Sequence, residues 1–455
     1  MRHQSKIQAA LAAAAGITTA IILSFTTSSA SAAVLNYDRE ELPGGGVILV
    51  NESHELPIVT IEVSFPAGTR YEPLDKQGLA NMSAAMLLRG TRKRSASDIE
   101  KLNDQIGGGV SASAGRDFSS ISLRVLTRDL AQGMELLADT LRNPSYPGKE
   151  LKKLKARTLG GLQRKKDRPG YLANRAFRTR LFGDHPYGRE VAGKPETIKK
   201  IRRADLVRFH RQRYGMKGAI FVFVGDISLA RAQDLVMGHF GGWKSRPASS
   251  PAPATPSKAE GEQKMDVIKI DRSFRQATVL LGNRSISRRH KDFYAARVMN
   301  YILGGGGFES RITKNIREEK GLVYSAYSYF AAGMDTGHWR LMLQTKNASA
   351  NQAIAESIKE IKRIQDEGVT ETELNEAKAF ITGNFATRFQ SSSRIAGYIL
   401  AVERLGFSSD YAGKYLDLIR AVKKEQIQET AKKHIRLDES VLTVVGDLKE
   451  AKLDY

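Results

Sequence analysis

Phe223-Val224-Gly225-Asp226-Ile227 and Val444-Val445-Gly446-Asp447-Leu448 stand 221 residues apart in a chain of 455. A second set keeps nearly that spacing: Glu150-Leu151, Lys155 and Gly160 return as Glu373-Leu374, Lys378 and Gly383, offset by 223. A duplicated domain explains both. Around these markers the periodicity is mixed. Segments 58–65 and 119–126 are rich in β-branched residues and alternate in part, as strands do, whereas 79–88, 130–141 and 353–364 carry apolar residues at helical spacing. With few βαβ repeats, the pattern predicts an α+β fold of two duplicated domains, each a mainly antiparallel sheet packed with helices.

Between the copies lies SRPASSPAPATPSKAEGEQ, residues 245–263, with four of the chain's 13 prolines and almost no large apolar side chain. Such composition reads as a semi-extended linker. At the start, Arg2, His3 and Lys6 precede an apolar run over 9–25 and then Ala30-Ser31-Ala32-Ala33. That order of zones predicts a signal peptide over 1–32. The alternative is an uncleaved anchor, since the run approaches the ~20 residues that span a bilayer. Either way the body is expected to be exported, into a periplasm or beyond, and membrane attachment arises only if the signal stays. The expected organisation is 1–32 signal, 38–244 first domain, 245–263 linker and 264–455 second domain.

The 71 Lys and Arg against 49 Asp and Glu leave a charge of +22, and there is no cysteine. Lack of cysteine excludes disulfide scaffolds, thiolate-bound metals and thiol nucleophiles, and suits an oxidising compartment. The charge is concentrated: residues 149–213 hold 21 basic and 6 acidic side chains. This region either faces a partner or binding chamber or is a solvated helix face, as Lys149, Lys152, Lys153 and Arg157 around Leu151 and Leu154 suggest. Nucleic acid is not an expected partner, because no aromatic motif is interleaved with the basic residues. The eight histidines include no i, i+4 pair, so no zinc site built by this chain alone is expected.

Ala67-Gly68-Thr69-Arg70-Tyr71-Glu72 is followed by Gly78-Leu79-Ala80-Asn81-Met82-Ser83-Ala84-Ala85-Met86-Leu87-Leu88-Arg89-Gly90-Thr91. Here the sequence resembles the pitrilysin or insulinase-like zinc peptidases, over nearly the whole chain beyond the signal. In active members the second segment reads G-L-A-H-x-x-E-H-M-L-x-x-G-T, where the two His bind zinc and the Glu acts on the attacking water. The resemblance puts Asn81 at the first His, Ala84 at the Glu and Ala85 at the second His. The family's remaining ligand is a Glu about 80 residues beyond the first His. The frame running back from Leu181-Phe182-Gly183-Asp184-His185-Pro186-Tyr187-Gly188-Arg189 puts Gly161 there. All four positions are degenerate, and no metal is expected on them.

The second half keeps the complementary part. Asn300-Tyr301-Ile302-Leu303-Gly304-Gly305-Gly306-Gly307-Phe308-Glu309-Ser310-Arg311 leads into Ile316-Arg317-Glu318-Glu319-Lys320-Gly321-Leu322-Val323-Tyr324-Ser325. This is similar to the family's Gly-rich turn and Arg-x6-Tyr pair, which implies that Arg317 and Tyr324 donate to substrate or to the oxyanion. Taken alone, Arg317 could instead complement a helix end or Glu318, and Tyr324 could simply pack. The glycines fit no phosphate loop and read as a tight turn that lets backbone approach a partner or substrate. Asp226 and Asp447 read as turn formers. Segment 106–117 resembles the approach to the family's substrate-pairing edge strand, with Ser111 and Ala114 departing from the usual residues, so a plain structural strand is expected.

The resemblance implies a two-domain clamshell and a non-catalytic subunit of a heterodimeric zinc peptidase. A homologous partner with His-x-x-Glu-His would bring the zinc, and this chain would supply Arg317 and Tyr324 for peptide substrates. The alternative is a catalytically inert scaffold or peptide-binding protein of the same fold.

Overall fold

The repeated motifs end matching strands of two sheets. The structure, a computed structural model, describes residues 35–244 and 264–455, so the predicted signal and linker lie outside the described residues. The first sheet contains β1 (Asp38–Leu42), β2 (Gly46–Glu52), β3 (Ile58–Phe65), β4 (Gly109–Ala114), β5 (Ser119–Leu126) and β6 (Ile220–Gly225). The second contains β7 (Asp266–Asp271), β8 (Gln276–Ser285), β9 (Val323–Ala332), β10 (Gly337–Lys346) and β11 (Val441–Gly446). Their orders are β1-β2-β6-β3-β5-β4 and β7-β11-β8-β10-β9. Once β1 is set aside, each strand of the first sheet has a counterpart at the same place in the second. Both sheets contain a single parallel pair, β2 with β6 and β7 with β11, and are otherwise antiparallel.

Gly225 is required where it stands. Its φ is +122°, and a Cβ there would lie 2.0 Å from the Ile58 carbonyl oxygen. Asp226 then accepts from the Thr127 hydroxyl at 2.7 Å, while Asp447 accepts from the Lys449 and Glu450 amides and caps the last helix. The turn-forming reading of both aspartates agrees with these contacts.

Seven helices matter to the argument: α1 (Leu79–Leu87), α2 (Gly148–Lys165), α3 (Pro169–Phe182), α4 (Phe293–Asn300), α5 (Glu371–Gly383), α6 (Ser392–Arg404) and α7 (Lys424–His434). α3 and α6 begin 223 residues apart, the spacing of the duplication, and each leaves its own sheet to pack on the other. Proline in the first turn suits the start of α3, and the Ser391 hydroxyl caps α6. Ala173, Phe177, Leu181 and Phe182 of α3 form one cluster with Leu280 of β8 and Val441 and Val445 of β11. α6 lies on β3 and β6 of the first sheet.

This exchange explains the imperfect alternation of 58–65. Val59, Ile61, Val63 and Phe65 fill the core on one face, yet Thr60 and Ser64 on the other face are buried as well, where α6 covers them. Arg404 at the end of α6 donates to Ser64 Oγ at 2.8 Å and Ser120 Oγ at 2.7 Å. The neighbouring Glu403 takes both arms of Arg39 at 3.0 Å. Further bridges join the halves. Arg70 pairs with Asp117 at 2.8 Å and Asp335 at 2.5 Å, and the Tyr187 hydroxyl accepts the Met334 amide at 2.9 Å while donating to Asp117 at 2.9 Å. The described residues from Asn36 onward accordingly form one compact unit.

Phe177 is fully buried in this exchanged contact. Phe177→Ala is expected to cost about 3–5 kcal/mol in urea unfolding; a loss below ~1 kcal/mol would show that the α3 contact is dispensable.

Candidate functional site

The resemblance aligns α1 with the helix that holds the zinc ligands of active members. α1 starts after Gly78, which has φ +96°. The Glu72 carboxylate accepts the amides of Gly78 at 3.0 Å and Ala80 at 2.6 Å, filling the open N-terminus of α1. Burial pushes this carboxyl up to about 8, against the pull of those two amides and of Arg189. Arg189 in turn donates to the Glu72 carbonyl at 3.0 Å. The residues common to the family frame therefore hold one another.

The chemical positions within that frame have none of the needed groups. Asn81 and Ala85, four residues apart, share a half-buried face of α1, and Ala84 is fully buried. Gly161 lies on α2, which packs against α1, and a Cβ at Gly161 would meet nothing within 4 Å. One neutral amide, two methyl groups and a glycine offer neither imidazole nor carboxylate, so these residues do not fit zinc. Among the described residues, the one trio of His, Asp or Glu side chains close enough to share a metal is His290, Asp292 and His434, in the other half.

Arg317 and Tyr324 sit on neighbouring segments of the second half. Asn300, at the end of α4, donates to the Ser328 carbonyl at 2.9 Å and accepts from the Ser328 hydroxyl at 2.9 Å and the Trp339 indole at 3.2 Å. This buried hub draws the following π-helical turn, Tyr301–Gly305, onto β9. A Cβ at Gly304 would lie 2.6 Å from Ser328 Oγ, and one at Gly305 would lie 2.5 Å from Asn300 Nδ2. The close approach expected of the glycines is thus made, at these two positions, to the chain's own strand and helix.

Past the glycines, Phe308 stands 59% exposed, and the Arg317 guanidinium lies 4.7 Å from its ring centroid. Arg317 belongs to a second π-helical turn, Lys314–Glu319, packed against β9. Tyr324 is 51% exposed on β9, the edge strand of the second sheet. Among the described residues no hydrogen bond or ion pair engages the Arg317 guanidinium or the Tyr324 hydroxyl. Pairing of Arg317 with Glu318 does not occur, and Tyr324 is not packed away; only the helix-end reading of Arg317 survives as a structural role.

The support of this segment was not apparent from local spacing. Arg311 donates from Nε to Glu373 at 2.6 Å and from Nη2 to the same carboxylate at 2.7 Å, and reaches the Gly368 carbonyl at 3.0 Å. The fork ties the start of the Arg317 segment to the cap of α5, where Glu373 also accepts the Thr370 amide at 2.8 Å. Burial would raise Glu373, but Arg311 and Thr370 outweigh it and hold the carboxyl at about 2. Arg311 closes the quoted Gly-rich motif and Glu373 belongs to the repeated one, but their contact is visible only once the fold is known.

In the first half, β4 is the edge of its sheet and pairs with β5 alone, a placement common to a plain structural strand and to one that an extended peptide could join. Lys152, Lys153 and Arg157 are exposed on α2 while Leu151 and Leu162 face the core, an arrangement common to a solvated helix face and to one that meets a partner. No helix among the described residues is long and apolar enough to cross a membrane.

The insulinase model of peptidase family M16 matches residues 47–194, and the model described as the peptidase M16 inactive domain matches 200–381. An uncharacterized zinc protease of Mycobacterium tuberculosis is 28% identical over 406 residues, covering 88% of this chain and 90% of that protein. The non-peptidase homolog YmxG of Helicobacter pylori is 24% identical over 414 residues, with 89% and 93% covered. The crystal structure of a peptidase M16 inactive domain from Pseudomonas fluorescens has a TM-score of 0.83 at 26% identity, over 90% of this chain and 98% of that one. A protease from Helicobacter pylori shares the fold with a TM-score of 0.82 at 20% identity, over 91% and 100%.

Gly161→Ala should stabilise the protein by about 0.5–1 kcal/mol in urea unfolding, because a helix-interior glycine facing open space gains from a methyl. Destabilisation would mean that this position serves close packing. Glu373, held below its ordinary pKa of 4.5, adds stability that is complete above pH 4.5 and is lost as pH falls towards 2. Glu373→Gln is therefore expected to lower neutral-pH stability by on the order of 2 kcal/mol and to lose less stability across that acid window. Parallel stability-versus-pH curves for the two proteins would contradict this role.

Proposed function

The chain belongs to the peptidase M16 family, and from that premise we propose that it is an exported, non-catalytic subunit of a heterodimeric zinc peptidase. Its Arg317 and Tyr324 act in the site of a homologous partner bearing His-x-x-Glu-His. The observation carrying this reading is that both side chains are exposed on a braced surface with their donors unengaged. A buried arginine without a partner would be costly, but an exposed one against the Phe308 ring, on a segment packed against the strand of Tyr324, keeps its N–H donors open to a ligand.

Hydrolysis of a peptide bond moves negative charge onto the carbonyl oxygen. Arg317 brings a permanent positive charge and five N–H donors, and Tyr324 a phenolic O–H. Aimed at that oxygen, each donor lowers the barrier by about 3 kcal/mol, roughly a hundredfold in rate. The chain's own degenerate positions contribute neither metal nor base. Hydrolytic activity therefore requires the partner, whose chamber takes peptides or unfolded segments. The basic face of α2 remains a solvated surface in this reading.

The test is to co-purify the chain with a His-x-x-Glu-His relative from the same organism and assay peptide cleavage. Arg317→Ala and Tyr324→Phe should each lower kcat/KM of the pair by about a hundredfold without dissociating it. A stable pair whose cleavage is indifferent to both changes would leave the inert scaffold as the function.

A further inference from the structure

Two helices of the second half bring together residues 144 positions apart. His290 and Asp292 lie on the approach to α4, with Asp292 at its N-cap, and His434 is the last residue of α7, which packs against α4. One ligand atom from each of the three side chains lies within 4.8 Å of the others. We propose that His290, Asp292 and His434 form a site for a divalent transition metal of the zinc class, which staples α4 to α7. It is separate from the degenerate positions of the first half and independent of the role given to Arg317 and Tyr324.

The donor set is two imidazoles and one carboxylate, a combination suited to zinc with an outer position left for water. Asp292 Oδ2 stands at the centre, 2.8 Å from His434 Nε2 and 3.8 Å from His290 Nδ1. Ligands at ordinary zinc distances around a tetrahedral ion are about 3.4 Å apart, so the two separations bracket what the ion needs. The Asp292 amide donates to His290 Nδ1 at 3.1 Å, so the one lone pair of that nitrogen is held by the backbone and a bound ion has to take the place of this contact. The two rings meet edge to face, with centroids 5.2 Å apart at 82°.

The surroundings fix one ligand and leave access to the others. His434 is 8% exposed, and its carbonyl accepts from the Asn283 side chain at 3.0 Å, which anchors the end of α7. His290 and Asp292 remain partly exposed, with side-chain exposures of 34% and 22%. Without a metal, the inward edge is closed by the proton shared between His434 and Asp292, and a bound cation would replace it. One group competes: Lys433 Nζ approaches Asp292 Oδ2 at 3.4 Å from an exposed side chain.

The experiment uses the untagged chain, stripped with chelator and titrated with zinc chloride by calorimetry and thermal melting. One equivalent should bind and raise Tm, and His290→Gln, at a partly exposed position, should abolish both effects while retaining the wild-type circular dichroism spectrum. Lys433→Met should tighten binding several-fold by removing the competing cation. Absence of stoichiometric binding, or binding that survives His290→Gln unchanged, would overturn the site. Cleavage by the heterodimer should be unaffected by His290→Gln, so failure of the metal site and failure of the subunit reading are told apart.

Discussion

The exchange of α3 and α6 between the two sheets is the contact on which the rest of the structure depends. Each helix is encoded in one half and completes the packing of the other. The main core of the first half, from Leu42 to Phe240, is built by that half alone, and the exchanged helices cover the second face of each sheet, which would otherwise stand open to solvent. The polar bridges from Arg39, Arg70, Tyr187 and Arg404 follow this exchange and fix the relative position of the halves at points where charge pairing is geometrically demanding. Functional side chains on either half are thereby carried by one body.

Within that body, the groups that build the fold and the groups that do chemistry have separate physical roles, and one set can be lost without the other. Glu72, Gly78 and Arg189 hold the start of α1 through hydrogen bonds and a left-handed glycine, and they persist. Asn81, Ala84, Ala85 and Gly161, which the resemblance aligns with the metal-site positions of active members, have small or neutral side chains here. On the second half the reverse holds. Asn300, the Gly304–Gly305 turn and the Arg311–Glu373 fork brace a surface on which Arg317 meets only the Phe308 ring and, among the described residues, neither the Arg317 guanidinium nor the Tyr324 hydroxyl has a hydrogen-bond partner. Stability supports the bracing, whereas the exposed donors have no stabilising partner.

Local patterns revealed a good part of this. The 221-residue echo of Phe223–Ile227 predicted a duplicated domain, whose two sheets prove to match in strand order, and strand 58–65 and helices 79–88 and 130–141 were legible because their periodicity reflects a buried face. The exchange of α3 and α6 was not legible: Phe177 of α3 and Ile399, a fully buried residue of α6, show ordinary helical spacing, and nothing in that spacing says which sheet each helix meets. The same limit hid Arg311 with Glu373 and brought His290 to His434 unannounced, since long-range contacts have no local signature. The bland reading of Arg317 beside Glu318 failed for a geometric reason, because the guanidinium turns to the Phe308 ring instead. The absence of an i, i+4 histidine pair excluded a zinc helix but did not bear on ligands drawn from two helices.

The central claim is that this chain completes an active site it cannot form alone. The most direct measurement is a titration of peptidase activity, adding the chain to a fixed amount of its purified zinc-bearing relative. Activity should be near background for either protein alone and rise to a plateau at one equivalent. Full activity of the relative without this chain, unchanged on addition, would contradict the account.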